Sequence, residues 1–419
     1  MEATYRMRIG SLDVHKRNVV GHILDVFFDE NNEISAKSLH VKVFSRSLTG
    51  LSELAEFLRE YEVEKVVMES SGPYGLKVYY FLDSEGFDVW MVPARDNKPN
   101  NQKKTDVEDA KRLARRFVAG AVRAYKLPSD PKIRALRRYT RTRKKLVDQA
   151  VALKNAIIRI FDEACIDIKR VFSDFGKGML VFLEGFIRGE SLDAITRKWP
   201  RLARKRELLE EIMKVRLDEA SIVVLRSNLR ILKVILKEIE SLDRRIESIL
   251  AKLSSDVEVL LTIPGVGLVS CAIILAEIGD IRRFPSTKKL ASYAGLVPTV
   301  YQSGGKTVYG RIRSECNRRL RWILYEVANN AIRSSRALRE FYDRLVRNGK
   351  AHKQAVIAVA RKIAVAIWHM LMKRVPWRER VRKSVRLPKK RRLSRITVRE
   401  AMELLREAGY IVIKARGCL

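Results

Sequence analysis

With 419 residues the chain has room for two or three domains with cores of their own, and its 47% hydrophobic content excludes a wholly disordered basic tail protein. Its 84 Lys and Arg against 49 Asp and Glu leave a formal net charge of +35, a field that concentrates polyanions and makes nucleic acid the expected partner, with a ribosome-associated or thermophile surface as the alternative. Four scattered cysteines without a CxxC pair indicate neither a zinc site nor a disulfide framework. No secretory apolar core opens the chain and Arg361-Lys362 interrupts the apolar stretch Ala355 to Met372, so a cytoplasmic protein without a membrane span is expected.

From Tyr5 to Asp13 the chain reads as a strand ending on a carboxylate, and apolar runs from Val19 to Phe28 and Leu39 to Phe44 add two more in meander order. Leu51, Leu54, Phe57 and Leu58 recur at helical spacing. Lys65 to Met68 is a short buried strand running into Glu69, Tyr74 to Leu82 returns to helix, and Phe87 to Val92 is a strand closed by Pro93. A polar loop from Asp96 to Lys104 then leads to a helix predicted to start near Thr105. The order β-β-β-α-β-α-β-α over residues 1–125 is similar to that of a ribonuclease H domain.

That order places Asp13 and Glu69 at the ends of neighbouring central strands, while Asp106 and Asp109, three apart, share a helix face. Four such carboxylates repel one another unless a cation intervenes. Two Mg²⁺ ions about 4 Å apart would offset the repulsion and clamp a phosphate between them. Taken singly, each acid has a blander reading: a strand-end Asp forms turns, and Thr105 can cap a helix whose first turn favours Asp106 and Glu108. Glu108 and His15 are expected outside the metal set.

In the middle region, residues 126–254, Leu146, Ala150, Leu153, Ile157 and Ile160 step by four and three, and Leu225, Leu229, Leu232, Leu236 and Ile239 repeat the stripe, continued through Leu253. Two long amphipathic helices imply an antiparallel hairpin, or a dimer seam made from the same surfaces, with a small helical insert from Cys165 to Ala220 between them. The first helix carries Arg134, Arg137, Arg138, Arg141, Arg143, Lys144 and Lys145 with no intervening acid. A solvated face is the plain reading of such a run, and a phosphate-backbone contact the functional one.

Residues 255–375 form a further expected domain, followed by a basic extension at 376–419. Ile263-Pro264-Gly265-Val266-Gly267 lies between an apolar run ending at Leu261 and the helix Leu268 to Ile278, the form of a helix-hairpin-helix turn whose Gly265 and Gly267 let backbone amides approach a DNA phosphate. Leu296-Val297-Pro298-Thr299-Val300-Tyr301-Gln302-Ser303-Gly304-Gly305-Lys306 follows, then Gly310-Arg311-Ile312-Arg313 and a helix bearing Asn317, Arg318, Arg319 and Arg321. Ser303 thus sits in a glycine-flanked cationic loop, with Lys306, Arg311 and Arg318 as further phosphate contacts. A serine hydroxyl is a poor nucleophile unless the phosphate is polarised and the leaving oxygen stabilised, which metal ions and Lys306 can supply. Beside Gly-Gly, a turn residue is the other reading.

The ordered set of Asp13, Glu69, Asp106 and Asp109, the Ile-Pro-Gly-Val-Gly turn and the Gly-Leu-Val-Pro…Gln-Ser-Gly-Gly-Lys block resembles the DEDD transposases of the insertion-sequence 110 family, including its 1111 branch, over roughly residues 8 to 375. The resemblance implies a RuvC-like domain, a coiled coil and a mostly helical transposase domain acting together as a homodimer or homotetramer. It further implies Mg²⁺, DNA substrates at element ends and target, a structured guide RNA encoded by the element, and a nucleophilic serine at Ser303. Three functions stand against one another: a recombinase attacking through Ser303, a metal-dependent junction nuclease using water, and a non-catalytic nucleic-acid scaffold that leaves the acids without a purpose.

Overall fold

The structure, a computed structural model, describes residues 5–28, 33–69, 72–93, 106–122, 124–303, 306–312 and 316–379. The predicted loop at 96–104, the Thr105 cap, Gly304-Gly305, Arg313 and the extension beyond 379 lie outside the described residues. So do the side chains of Asp106, Ser303, Lys306 and Arg311.

Strands β1 (Tyr5–Val14), β2 (Asn18–Phe28) and β3 (Ile34–Ser45) pair antiparallel in succession. After α1 (Leu48–Glu60), β4 (Lys65–Glu69) joins the other edge of β1 in parallel, and after α2 (Pro73–Ser84), β5 (Val89–Val92) joins β4. The result is one mixed sheet of order β3-β2-β1-β4-β5. Alternation sorts its side chains. Leu12, Val66, Met68 and Met91 pack under α1 and α2, whereas Ile9, Val67 and Val92 pack under α3 (Asp106–Val118). Because β4 is covered on both faces, Val66, Val67 and Met68 are all fully buried, as an interior parallel strand requires. Truncating Leu51, Leu54 or Leu58, the fully buried stripe of α1, to Ala costs about 2–5 kcal/mol each. Strand β3 starts five residues before the expected Leu39, because its early residues are polar and its edge faces solvent, leaving no apolar signal.

Helices α4 (Pro131–Glu163) and α8 (Glu219–Ala251) run antiparallel: Arg143 near the start of one pairs with Asp243 near the end of the other. The insert between them holds α5 (Lys177–Ile187), α6 (Leu192–Lys198) and α7 (Arg206–Met213), whose Phe182, Leu183, Ile195 and Leu209 share a core with Ile157, Leu225 and Leu232. The heptad stripes therefore bury chiefly within the chain.

The C-terminal part continues with α9 (Ser254–Leu261), α10 (Leu268–Ile278), α11 (Thr287–Tyr293), a hairpin of β6 (Pro298–Ser303) and β7 (Lys306–Ile312), then α12 (Arg318–Ser334), α13 (Arg336–Arg347) and α14 (His352–Lys373). Helix α14 is long and apolar enough to cross a membrane by length and composition. Here Val356, Val359, Ile363 and Ile367 lie wholly in the core shared with α10 and α12, and the Trp368 indole donates to the Phe284 carbonyl at 2.8 Å. Leu136 and the end of α8 belong to that same core, so α4 is continuous with it.

Candidate functional site

The acidic face begins at the carboxyl ends of β1 and β4. Their register runs to Leu12 opposite Met68, and one residue further Asp13 and Glu69 stand abreast. Asp13 has the parity of Ile9 and Glu69 that of Val67, so both emerge on the face covered by α3. On α3, Ala110, Leu113 and Ala114 meet the sheet, and Phe117 near its end rests 5.8 Å from the Trp90 ring at the start of β5. Its opposite end, with Asp106 and Asp109, is therefore directed toward the carboxyl ends of the strands. Asp13 and Asp109 each have a local basic partner. Asp13 Oδ2 is 3.3 Å from His15 Nε2, and Asp109 Oδ1 accepts from Arg112 at 2.6 Å. Glu108 turns to Lys111 at 3.0 Å, away from the set as expected. Among the described residues no group of three or more His, Cys, Asp and Glu side chains is gathered closely enough to hold a metal ion. The backbone brings Asp13 and Glu69 together, and the described side chains do not complete the cluster.

The basic face of α4 is divided between different tasks. Arg141 makes a two-pronged contact with Glu277, Nε to Oε1 at 2.8 Å and Nη2 to Oε2 at 2.9 Å. Arg137 donates to the carbonyls of Ala276 and Glu277 at 2.9 and 3.1 Å, with its Nε 3.6 Å from the same carboxylate. Glu277 is wholly buried. Burial pushes its carboxyl upward, but the hydrogen bond from Arg141, the charges of Arg137 and Arg141 and the amide of Asn317 outweigh that and hold it below the usual carboxylate range. Arg143 is paired with Asp243, and Lys144 with Asp148 while also lying over the Trp322 ring. Arg134 lies 4.6 Å over the ring of Tyr80. Arg138 and Lys145 are exposed, with no ion-pair partner among the described residues.

Ser303 does not lie in a loop. It ends β6 opposite Lys306 at the start of β7. The β-branched and aromatic residues Thr299, Val300 and Tyr301 before a Gly-Gly pair are a hairpin signal, and it was legible. Tyr293 and Asn317, which flank this hairpin in sequence, are joined to each other and to Glu277. Asn317 N–H donates to the Tyr293 carbonyl at 2.7 Å, and its side-chain amide donates to Glu277 Oε2 at 2.8 Å and Tyr293 Oη at 3.0 Å. The Asn317 carbonyl oxygen meanwhile caps α12 by accepting from Leu320 N–H at 3.0 Å. Gly295, at φ +66°, backs onto this joint, where a β-carbon would meet Cys316 Sγ at 2.5 Å. Glu277, Tyr293 and Asn317 were not singled out from sequence. The available signal was Glu277 itself, the one acid in the otherwise apolar Leu268–Ile278, which a buried helix can hold only against a partner.

In the turn before α10, Gly265 adopts φ +82° and packs directly on α12, where a β-carbon would lie 2.7 Å from the Ala331 nitrogen. The structure thus gives Gly265 a packing reason. Gly267 is exposed and caps α10, but its N–H donates to Ser270 Oγ at 2.8 Å. Arg318 is exposed in the first turn of α12.

Two family models match the chain. Residues 257–343 match the one described as Transposase IS116/IS110/IS902 family, and residues 11–166 match the DEDD transposase model of the IS110 type. The chain belongs to the IS110/IS116/IS902 family of transposases. Among relatives, the 44.8 kDa protein of insertion element IS116 from Streptomyces clavuligerus is 27% identical over 376 residues, covering 84% of this chain and 92% of its own length. The transposase for insertion sequence element IS1111A of Coxiella burnetii is 30% identical over 30% of this chain and 36% of its own. Among solved structures, that of Thermus thermophilus RuvC aligns over all of that chain and 28% of this one, at 13% identity and a TM-score of 0.23.

Proposed function

We propose that this family member is a DNA recombinase of an insertion sequence, cleaving and exchanging strands through Ser303 beside Asp13, Glu69, Asp106 and Asp109. The observation that carries the reading is the placement of Asp13 and Glu69 abreast at adjacent parallel strand ends, on the face toward which the acidic first turn of α3 is directed. Carboxylate oxygens alone make a donor set suited to a hard divalent cation, so the four acids fit Mg²⁺. Bound there, Mg²⁺ supplies Lewis-acid polarisation of a phosphate and stabilises a departing oxygen. Ser303 Oγ forms the new bond to phosphorus as the bond to one sugar oxygen breaks. The serine proton is lost to solvent, and the sugar oxygen leaves as a hydroxyl after taking one proton from solvent. The resulting phosphoserine ester conserves the phosphodiester energy, so the strand can be rejoined without ATP. Lys306 and Arg311, on the strand that pairs with β6, are the cations nearest in sequence to the attacked phosphate.

The finer parts of the reading rest on separate features. The Gly265–Gly267 turn is read as a helix-hairpin-helix contact to DNA element ends and target, made through the exposed Gly267 side. The two long helices are read as a coiled coil that also joins subunits into a homodimer or homotetramer, because Val223, Val224, Ile231 and Val234 remain exposed on α8 while Leu225, Leu229, Leu232 and Ile235 beside them are buried. The charge excess is read as serving a structured guide RNA as well as DNA, in a cytoplasmic, nucleoid-associated protein. Mass spectrometry of a trapped, digested protein–DNA adduct tests the central claim. A phosphonucleotide on the Ser303 peptide, lost together with strand exchange in Ser303→Ala, is the expected result. Mg²⁺-dependent cleavage without any adduct would instead make the protein a junction nuclease that uses water.

A further inference from the structure

A cavity of about 1540 Å³ opens between α2, the first turns of α4 and the start of α12, at the foot of the Ser303 hairpin. Its lining carries seven Lys and Arg and, among the described residues, no Asp or Glu. Two of the seven, Arg137 and Arg141, share the buried Glu277 behind the wall, which offsets one of their two charges. The other five are Lys77, Arg134, Arg138, Arg318 and Arg319, and they face the space without an ion-pair partner among the described residues. Aromatic rings lie between these cations. Half-buried Tyr80 carries Arg134 stacked on its ring, and Tyr139 and Tyr293 line the same space.

We propose that this cavity holds an unpaired nucleic-acid strand, with phosphates on Arg138, Arg318 and Lys77 and a base against the Tyr80–Arg134 stack. The inference rests on the nucleic-acid reading above and adds to it which form is bound and where. The lining favours an unpaired strand over a duplex: rings placed between the cations offer stacking surface, which duplex bases, already stacked on one another, do not need. A single strand fits, and alternating cations and rings are what a strand's phosphates and bases require. The cavity is also larger than the ~300–1,000 Å³ of a small-molecule pocket. A strand held here lies beside Tyr293 and Asn317, the joint from which the serine hairpin projects.

The test uses the full chain and short oligonucleotides of one sequence as single-stranded DNA, single-stranded RNA and duplex, by anisotropy across a salt series. Arg138→Gln with Arg318→Gln should weaken single-strand binding by tenfold or more and reduce the salt slope by about 1.4, or about 0.7 per lost contact, leaving duplex affinity unchanged. Tyr80→Leu should cost about tenfold on the strand and quench less of a 2-aminopurine signal, while Tyr80→Phe retains both. A greater loss on RNA than on DNA assigns the site to an RNA strand, and the reverse to a DNA strand. Unchanged strand affinity and slope in the arginine variant, or equal losses on strand and duplex, would overturn this cavity as the strand site while leaving the nucleic-acid reading intact. Failure of the unaltered protein to bind any of the three would overturn that reading as well.

Discussion

Two acidic regions of this protein are held in opposite ways. At the end of the five-stranded sheet, Asp13 and Asp109 are partly exposed and paired with basic side chains two or three residues away, partners a bound ion can displace. Glu277 is wholly buried and committed to Arg137 and Arg141, about 140 residues distant, and to Asn317, 40 residues on. Accessible acids with local partners are free to take up a ligand. A buried acid satisfied from α4 and from the cap of α12 fixes those two elements relative to its own helix. The comparison teaches that basic residues on one helix serve different ends according to what stands opposite them.

The largest effect should come from the sheet. Asp13→Ala or Asp106→Ala should reduce strand cleavage to background in a gel assay while nucleic-acid affinity stays near that of the unaltered chain, and for the half-exposed Asp13 stability should move by no more than about 0.5 kcal/mol. Concomitant loss of binding would erase the contrast. Next, Arg137→Met with Arg141→Met strands a buried carboxylate, and denaturant titration should show a loss of about 3–5 kcal/mol. Gly265→Ala should follow at about 1–3 kcal/mol, because it combines a left-handed φ with an approach to the α12 backbone that leaves no room for a methyl group. A melting temperature unchanged from the unaltered chain would show that α12 can withdraw.

The smallest effect concerns pH. Folded Glu277 sits below the ordinary carboxylate value, so in acid the unfolded chain takes up a proton before the folded one does. Its contribution is present above about pH 4.3 and is lost as pH falls through the folded value. Melting followed from pH 7 downward should therefore fall less steeply in Glu277→Gln than in the unaltered chain. Parallel curves would assign acid lability to other groups.

Much of this architecture was legible because its signals are local. A run ending on Asp13 marked β1, an apolar run marked β2, the buried run Lys65 to Met68 marked β4, and leucine steps marked α4 and α8. The placement of Asp13 beside Glu69 followed from strand order. What remained hidden was long-range. Nothing near Arg137 or Arg141 announces a carboxylate in α10, and a run of cations reads the same whether a phosphate or a glutamate faces it. Glu108 was separable because three-residue spacing on a helix is itself local.

The joint at Tyr293 and Asn317 makes the serine hairpin a lever. Strand β6 advances about 3.3 Å per residue, so five steps carry Ser303 about 17 Å beyond Pro298. A tilt of about 10° at the joint would sweep the tip by about 3 Å, as much as the whole separation between attacking and attacked atoms in a near-attack geometry. Small rotations at the Tyr293–Asn317 joint are thus magnified at the far end of the hairpin, so under the proposed serine mechanism the accuracy of attack is set at the fulcrum.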